Sequence, residues 1–103
     1  MTYPESPGHK VGGTSRAAAQ LMATSAPTIR DGCRVALELL GPMTPDETAD
    51  LLGRTVLAIR PRFSELKAMG HIEKTGVRRK NASGISADVY RRVPTMLVQS
   101  EML

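Results

Sequence analysis

The chain has 103 residues, enough for one small domain, and its single cysteine excludes an internal disulfide. No run approaches the roughly 20 apolar residues of a membrane span, and the N-terminus lacks the apolar run of a signal peptide, so we expect a soluble, cytoplasmic protein. The net charge of +4 is concentrated in residues 54–93, which carry ten basic and three acidic side chains and so favour contact with a polyanion.

The start of the chain is predicted to hold a tail and one short helix. Residues 1–13 contain two prolines and three glycines, which is the composition of a disordered tail. Residues 14–24 follow with strong helix formers behind a capping hydroxyl, so they are expected to form a short N-terminal helix. Residues 25–93 are predicted to form the folded domain, and residues 94–103 a C-terminal tail.

Two helices are predicted to open the domain. Apolar residues recur at helical spacing from Thr28 to Leu40, and Cys33 falls on that apolar face, so it is expected to be a buried small residue. Met43 is predicted to form a very short strand. A second helix of two turns follows, because three helix-start signals stand together there: an N-cap hydroxyl, a proline at the first helical position and a capping-box glutamate, namely Thr44, Pro45 and Glu47.

A third helix is predicted from Thr55, its N-cap, to Gly70, with four core residues on one face: Val56, Ile59, Phe63 and Leu66. Pro61 interrupts this pattern, since its missing amide removes a helical hydrogen bond at a cost of about 3 kcal/mol. Either residues 55–60 form a looser turn, or the helix continues with a kink, which we favour because broken local rules tend to mark functional sites. A proline that is simply tolerated near the helix start is the third alternative.

The last predicted element is a β-hairpin. Residues 71–75 and 87–93 are short β-leaning runs, and the segment between them, GVRRKNASGIS, contains four turn formers and three consecutive basic residues. The predicted loop, residues 77–86, is therefore long and basic.

This order of elements resembles the winged helix-turn-helix family of small bacterial and phage proteins. The resemblance rests on TPDETADLLGRTVLAIRPRFSELKAMGHIEKTG and on the basic segment after it, and the ending SELKAMGHIEKTG is similar to the ending that many such sequences share. It implies a mainly α fold with a small β-hairpin (α+β), built as a three-helix core plus a wing. The turn Gly53-Arg54-Thr55 would join the two helices of the motif.

The resemblance also implies how the chain would bind double-stranded DNA, with helix 55–69 in the major groove and loop 77–86 as a wing on phosphates or the minor groove. Arg54 and Arg62 are expected to reach phosphates or guanine edges, and Arg60 a phosphate or an acidic side chain. Leu57 and Ala58 would contact thymine methyl groups, and Arg91 and Arg92 would extend the positive surface. The predicted DNA-binding residues are Arg54, Thr55, Leu57, Ala58, Arg60, Pro61, Arg62, Arg78, Arg79, Lys80, Asn81 and Arg91.

The predicted function is sequence-specific DNA binding by a small transcriptional regulator, and a prophage is a candidate origin for the gene that encodes it. No nucleophile motif, phosphate-binding glycine pattern or metal-ligand spacing is present in the sequence, so no enzyme activity, cofactor or small-molecule ligand is expected. A homodimer through residues 14–24 and 94–103 is expected, unless those segments fold back over the core. The alternative function is a winged-helix adaptor for protein contacts in a replication or phage complex, because fold alone does not decide function.

Overall fold

Four helices precede a two-stranded antiparallel hairpin in the computed structural model, which describes residues 13–94. The elements are α1 (Gly13–Thr24), α2 (Ile29–Leu40), α3 (Pro45–Leu52), α4 (Val56–Ala68), β1 (Ile72–Lys80) and β2 (Ser86–Arg92). Met43 forms a single bridge with Tyr90 of β2, as predicted. The result is a small α+β fold consistent with a winged helix, which confirms the predicted fold class. Tails were predicted at residues 1–13 and 94–103, of which residues 1–12 and 95–103 lie outside the described residues.

Threonine hydroxyls start three of the helices, as the sequence predicts. At each start the hydroxyl oxygen accepts a hydrogen bond from a backbone amide that has no partner within the helix. Glu47 completes the capping box of α3, since its Oε1 accepts from the Thr44 amide at 3.0 Å. The three caps are Thr28 to the Asp31 amide at 3.0 Å, Thr44 to the Glu47 amide at 3.1 Å, and Thr55 to the Ala58 amide at 3.2 Å.

The core lies where α2, α3 and α4 meet the hairpin. Phe63 of α4 is at its centre with 1% of its surface exposed, and its ring meets that of Tyr90 edge to face with centroids 5.2 Å apart. The helical faces predicted to be apolar supply most of the remaining core, because a 3.6-residue period places those side chains on one side of each helix. They include Cys33, Ala36, Leu37, Ala49, Ile59 and Leu66.

Cys33 is fully buried, as predicted for a small apolar residue. Burial raises the pKa of its thiol to about 12, although the positive charge of Arg62 opposes that shift. The thiolate is the reactive form, so the thiol stays protonated and unreactive at neutral pH.

Helix α1 packs on α2 and α3 through small residues. Ala19 and Ala23 are buried, and the Gln20 side-chain amide donates to the Leu51 carbonyl at 2.8 Å. Gly32 of α2 permits this close approach, since a Cβ placed there would lie 2.8 Å from the Ala23 carbonyl oxygen. The predicted N-terminal helix therefore exists and is packed against the rest of the fold.

Replacing Gly32 with alanine is expected to destabilise the protein by about 1–3 kcal/mol, the usual cost of overpacking a tight contact. Alanine favours a helix over glycine by about 1 kcal/mol, but the clashing atom is a backbone oxygen and α1 must shift to relieve the clash. Urea denaturation measures the free energy of unfolding. The control is Ser64→Ala, at an exposed helical site, which is expected to leave the free energy of unfolding unchanged. A Gly32→Ala protein more stable than wild type would contradict the close contact between Gly32 and Ala23.

Helix α4 runs without interruption through Pro61. The helix begins at Val56, so the alternative in which residues 55–60 form a looser turn is wrong. Pro61 is exposed and costs one hydrogen bond, to the carbonyl of Leu57, which water can supply on the outer side of the helix. The predicted kink stays a prediction.

The hairpin differs from its prediction in the length of its strands. β1 continues to Lys80, so the loop is residues 81–85 and not 77–86. The reason is a bulge in which residues 75–77 of β1 lie opposite Val89 alone, between the pairs Lys74 with Tyr90 and Arg78 with Asp88. Gly76 adopts a φ of 91° in that bulge, so the glycine that suggested a loop bends a strand instead.

Candidate nucleic-acid interface

A tight turn between α3 and α4 places α4 on the surface. Gly53 ends α3 in the left-handed conformation, with a φ of 67°, and the Arg54 amide donates to the Ala49 carbonyl at 2.9 Å. Thr55 then caps α4 one residue later. These local contacts fix the residue at which α4 begins. The buried face of α4 then determines which side of the helix points to solvent.

The outer face of α4 follows the line of Leu57, Pro61, Ser64 and Ala68, all of which are exposed. Leu57 is 80% exposed, whereas Ala58 is half-buried. Both residues were expected to contact thymine methyl groups, but only Leu57 points directly outward. The buried line of Ile59, Phe63 and Leu66 sets the opposite side of the helix at Pro61 and Leu57.

A groove lies between α3, the start of α4 and the hairpin turn, and we name it the α3–hairpin groove. Two cations, three polar side chains and three carboxylates line it. Two of the carboxylates lie in ion pairs, Asp46 with Arg60 and Glu47 with Arg79. The charged and polar lining residues are Arg54, Lys80, Thr55, Asn81, Ser83, Asp46, Glu47 and Asp50. Four of the predicted DNA-binding residues are thus brought to one surface, although α3 and the hairpin are far apart in sequence.

The hairpin is held against α3 at this groove. The Thr44 hydroxyl donates to Oδ1 of Asn81 at 3.0 Å, and Arg79 donates to Oε1 of Glu47 at 2.6 Å. Glu47 therefore closes the capping box of α3 and also binds the hairpin through the same oxygen. Arg79 was predicted to lie on a mobile loop, but the structure places it on β1 with its guanidinium directed to α3.

Several other predicted DNA-binding cations also contact carboxylates. Arg60 lies 3.7 Å from Asp46, and Arg78 lies 3.2 Å from Asp88. Both arginines line a cleft between α4 and the hairpin, together with Ser64 and Tyr90. The expectation that Arg60 meets an acidic side chain is thus confirmed. Both arginine side chains are more than half exposed although their carboxylate partners are half-buried, so each arginine stays accessible to a phosphate.

Three further arginines lie outside these two grooves. Arg62 faces the start of α2 and donates to Glu65 at 2.9 Å, with its Nε buried. Arg91 pairs with Glu73 at 2.6 Å, at the end of the hairpin away from its turn. Arg92 was expected to extend the positive surface, but its side chain is only 13% exposed and donates to the carbonyls of His71 and Val93. That expectation is wrong because Arg92 closes the base of the hairpin.

Residues 13–94 carry thirteen Lys and Arg against eight Asp and Glu, a net charge of +5. Within that range, four cations lie beyond ion-pair distance of any carboxylate, namely Arg16, Arg54, Lys67 and Lys80. Two of the four, Arg54 and Lys80, line the α3–hairpin groove. The cations are therefore spread over several surfaces, and two of the four without an ion pair line one groove.

Sequence reasoning missed the carboxylates that neutralise the cations. Glu47 was recognised only as a capping residue, and Asp46 was assigned no role. Glu47 and Arg79 are 32 positions apart, and no local pattern predicts a contact over that distance. Three acidic residues cluster on the short helix α3, and this was the one feature of the sequence that could have indicated ion pairs with the hairpin.

Within residues 13–94, no helix combines the length and the apolar character that a membrane crossing needs. The same range holds no group of three or more His, Cys, Asp or Glu side chains placed to bind a metal ion.

Comparisons with known proteins show a similar fold. No family model and no curated protein sequence matches the chain. A solved structure that does match is a possible transcriptional regulator from Methanosarcina mazei Go1, with a TM-score of 0.55 and 9% sequence identity. The match covers 82% of this chain and 70% of that one. At this identity the likeness concerns the fold, and the chain shares a small helical fold with a protein described as a regulator.

Proposed function

We propose that the protein is a winged helix-turn-helix regulator that binds double-stranded DNA. The outer face of α4 would enter the major groove, and the hairpin would contact the backbone beside it. The observation that carries this proposal is that Arg54 and Lys80 line one groove next to the start of α4, and neither lies within ion-pair distance of a carboxylate of residues 13–94.

The geometry supports a phosphate in that groove. Arg54 follows the turn of the helix-turn-helix, and Lys80 is the last residue of β1, so two separate elements present charge to one concave surface. Asn81 and Ser83 add polar atoms at its rim. Phosphate contacts of this kind orient a protein on the duplex, whereas base edges supply its sequence preference.

Direct binding to DNA is the first test. Purified protein is expected to bind a random duplex pool at 50 mM salt, with log K falling against log salt at a slope of about −2 or steeper, since each neutralised phosphate contributes about −0.9. Fluorescence anisotropy at four salt concentrations measures the slope. Sequences selected from the same pool would show whether one site is preferred.

A protein-binding adaptor is the second candidate, because the fold alone does not decide between DNA and protein partners and Leu57 is an exposed apolar residue. Failure to bind any duplex at 50 mM salt would contradict the DNA proposal and leave this one. The homodimer predicted through residues 14–24 and 94–103 stays a prediction. Leu21 and Met22 of α1 are exposed, but residues 95–103 lie outside the described range. A palindromic selected sequence would support a dimer.

A further inference from the structure

The outer face of α4 is apolar where it would first meet a ligand. Leu57 is 80% exposed in the first turn, and the exposed Pro61 follows one turn later on the same line. The first side chain on that line with a hydrogen-bonding group is Ser64. The hydroxyl of Thr55 lies before this line, at the N-cap of α4, where it accepts from the Ala58 amide.

The setting of this apolar line indicates a polyanion as its occupant. Arg54 lies before it, Arg60 lies on its hairpin side with 58% of the side chain exposed, and Lys67 lies near its end. A stable protein partner buries about 800 Å² on each side, usually around large aromatic anchors, and a line of one leucine, one proline and one alanine falls well short of that. A cationic rim around a small apolar centre fits the major groove of a duplex instead.

We propose that Leu57 recognises the 5-methyl group of a thymine in the major groove. In that groove the bases present hydrogen-bond donors, acceptors and one apolar group, which is the thymine methyl. An exposed leucine can distinguish bases only through that group. This inference rests on the proposed function and names the base that the site would read.

The test compares thymine with uracil, which lacks the methyl group. Each thymine of a duplex selected by the wild-type protein is replaced in turn by deoxyuridine. One position is expected to lose about fourfold in affinity, which corresponds to about 0.8 kcal/mol for one buried methyl group. Leu57→Ala is expected to bind the thymine and uracil duplexes equally at that position, because it cannot contact the methyl group.

Two further arms make the test specific. Leu39→Ala removes an exposed leucine from α2 and is expected to keep the full fourfold discrimination. Replacing the same base pair by cytosine is expected to weaken binding, and 5-methylcytosine is expected to restore part of the loss, because it carries the same methyl group.

The outcomes separate this inference from the proposed function. If the wild type binds the duplex but no thymine shows a uracil effect, thymine recognition is overturned while DNA binding stands. Equal discrimination by wild type and Leu57→Ala would also overturn it, since another residue would then contact the methyl group. If no duplex is bound at any salt concentration, both proposals fail together.

Discussion

Replacing both Arg54 and Lys80 with alanine is expected to lower duplex affinity on the order of 100-fold at 50 mM salt. A charge-assisted contact contributes about 1.5 kcal/mol or more, and two of them multiply to roughly this factor. Both residues line the α3–hairpin groove. Neither forms an ion pair with a carboxylate of residues 13–94, so DNA binding does not first have to break such a pair. The salt slope is expected to become shallower by about 2.

The matched control removes the same net charge elsewhere. Arg16 lies on α1 and Arg34 on the outer side of α2, where it pairs with Asp31 and Glu38. The double variant Arg16→Ala with Arg34→Ala is expected to lose less than about threefold, the effect of net charge alone at this ionic strength. Equal losses in the two double variants would mean that overall charge, and not the groove, attracts DNA.

Replacing Phe63 with alanine is expected to lower the free energy of unfolding by about 3–5 kcal/mol. The ring is 1% exposed and packs edge to face against Tyr90, so the change leaves a cavity between α4 and the hairpin. A small domain has only about 5–15 kcal/mol in total, so this change removes a large share of its stability. Urea denaturation monitored by circular dichroism measures the loss.

Leu57→Ala is the control for this stability prediction, because it removes a large apolar side chain from the same helix at an 80% exposed position. It is expected to change the free energy of unfolding by less than about 0.5 kcal/mol. A loss of under about 1 kcal/mol in Phe63→Ala would contradict its central place in the core. The stability of Leu57→Ala also matters for DNA binding, since a folded variant is needed to test thymine recognition.

The sequence by itself determined the helices, their starts and their buried faces. Caps at Thr28, Thr44 and Thr55 join atoms within three residues of each other, and the buried line through Phe63 follows from the helical period. The turn at Gly53 needs only a left-handed glycine. Contacts this local are written in the sequence, because the residues that make them are never far apart along the chain.

The tertiary structure alone decided how those elements present their charges. Glu47 meets Arg79 across 32 positions, and the bulge around Gly76 extends β1 through a segment that local patterns assign to a loop. The packing of α4 against its neighbours sets the rotation of that helix about its axis. Arg62 is therefore directed to Glu65 and α2, and Leu57 faces outward while Ala58 does not. Such contacts depend on the relative placement of whole elements, which no short stretch of sequence specifies.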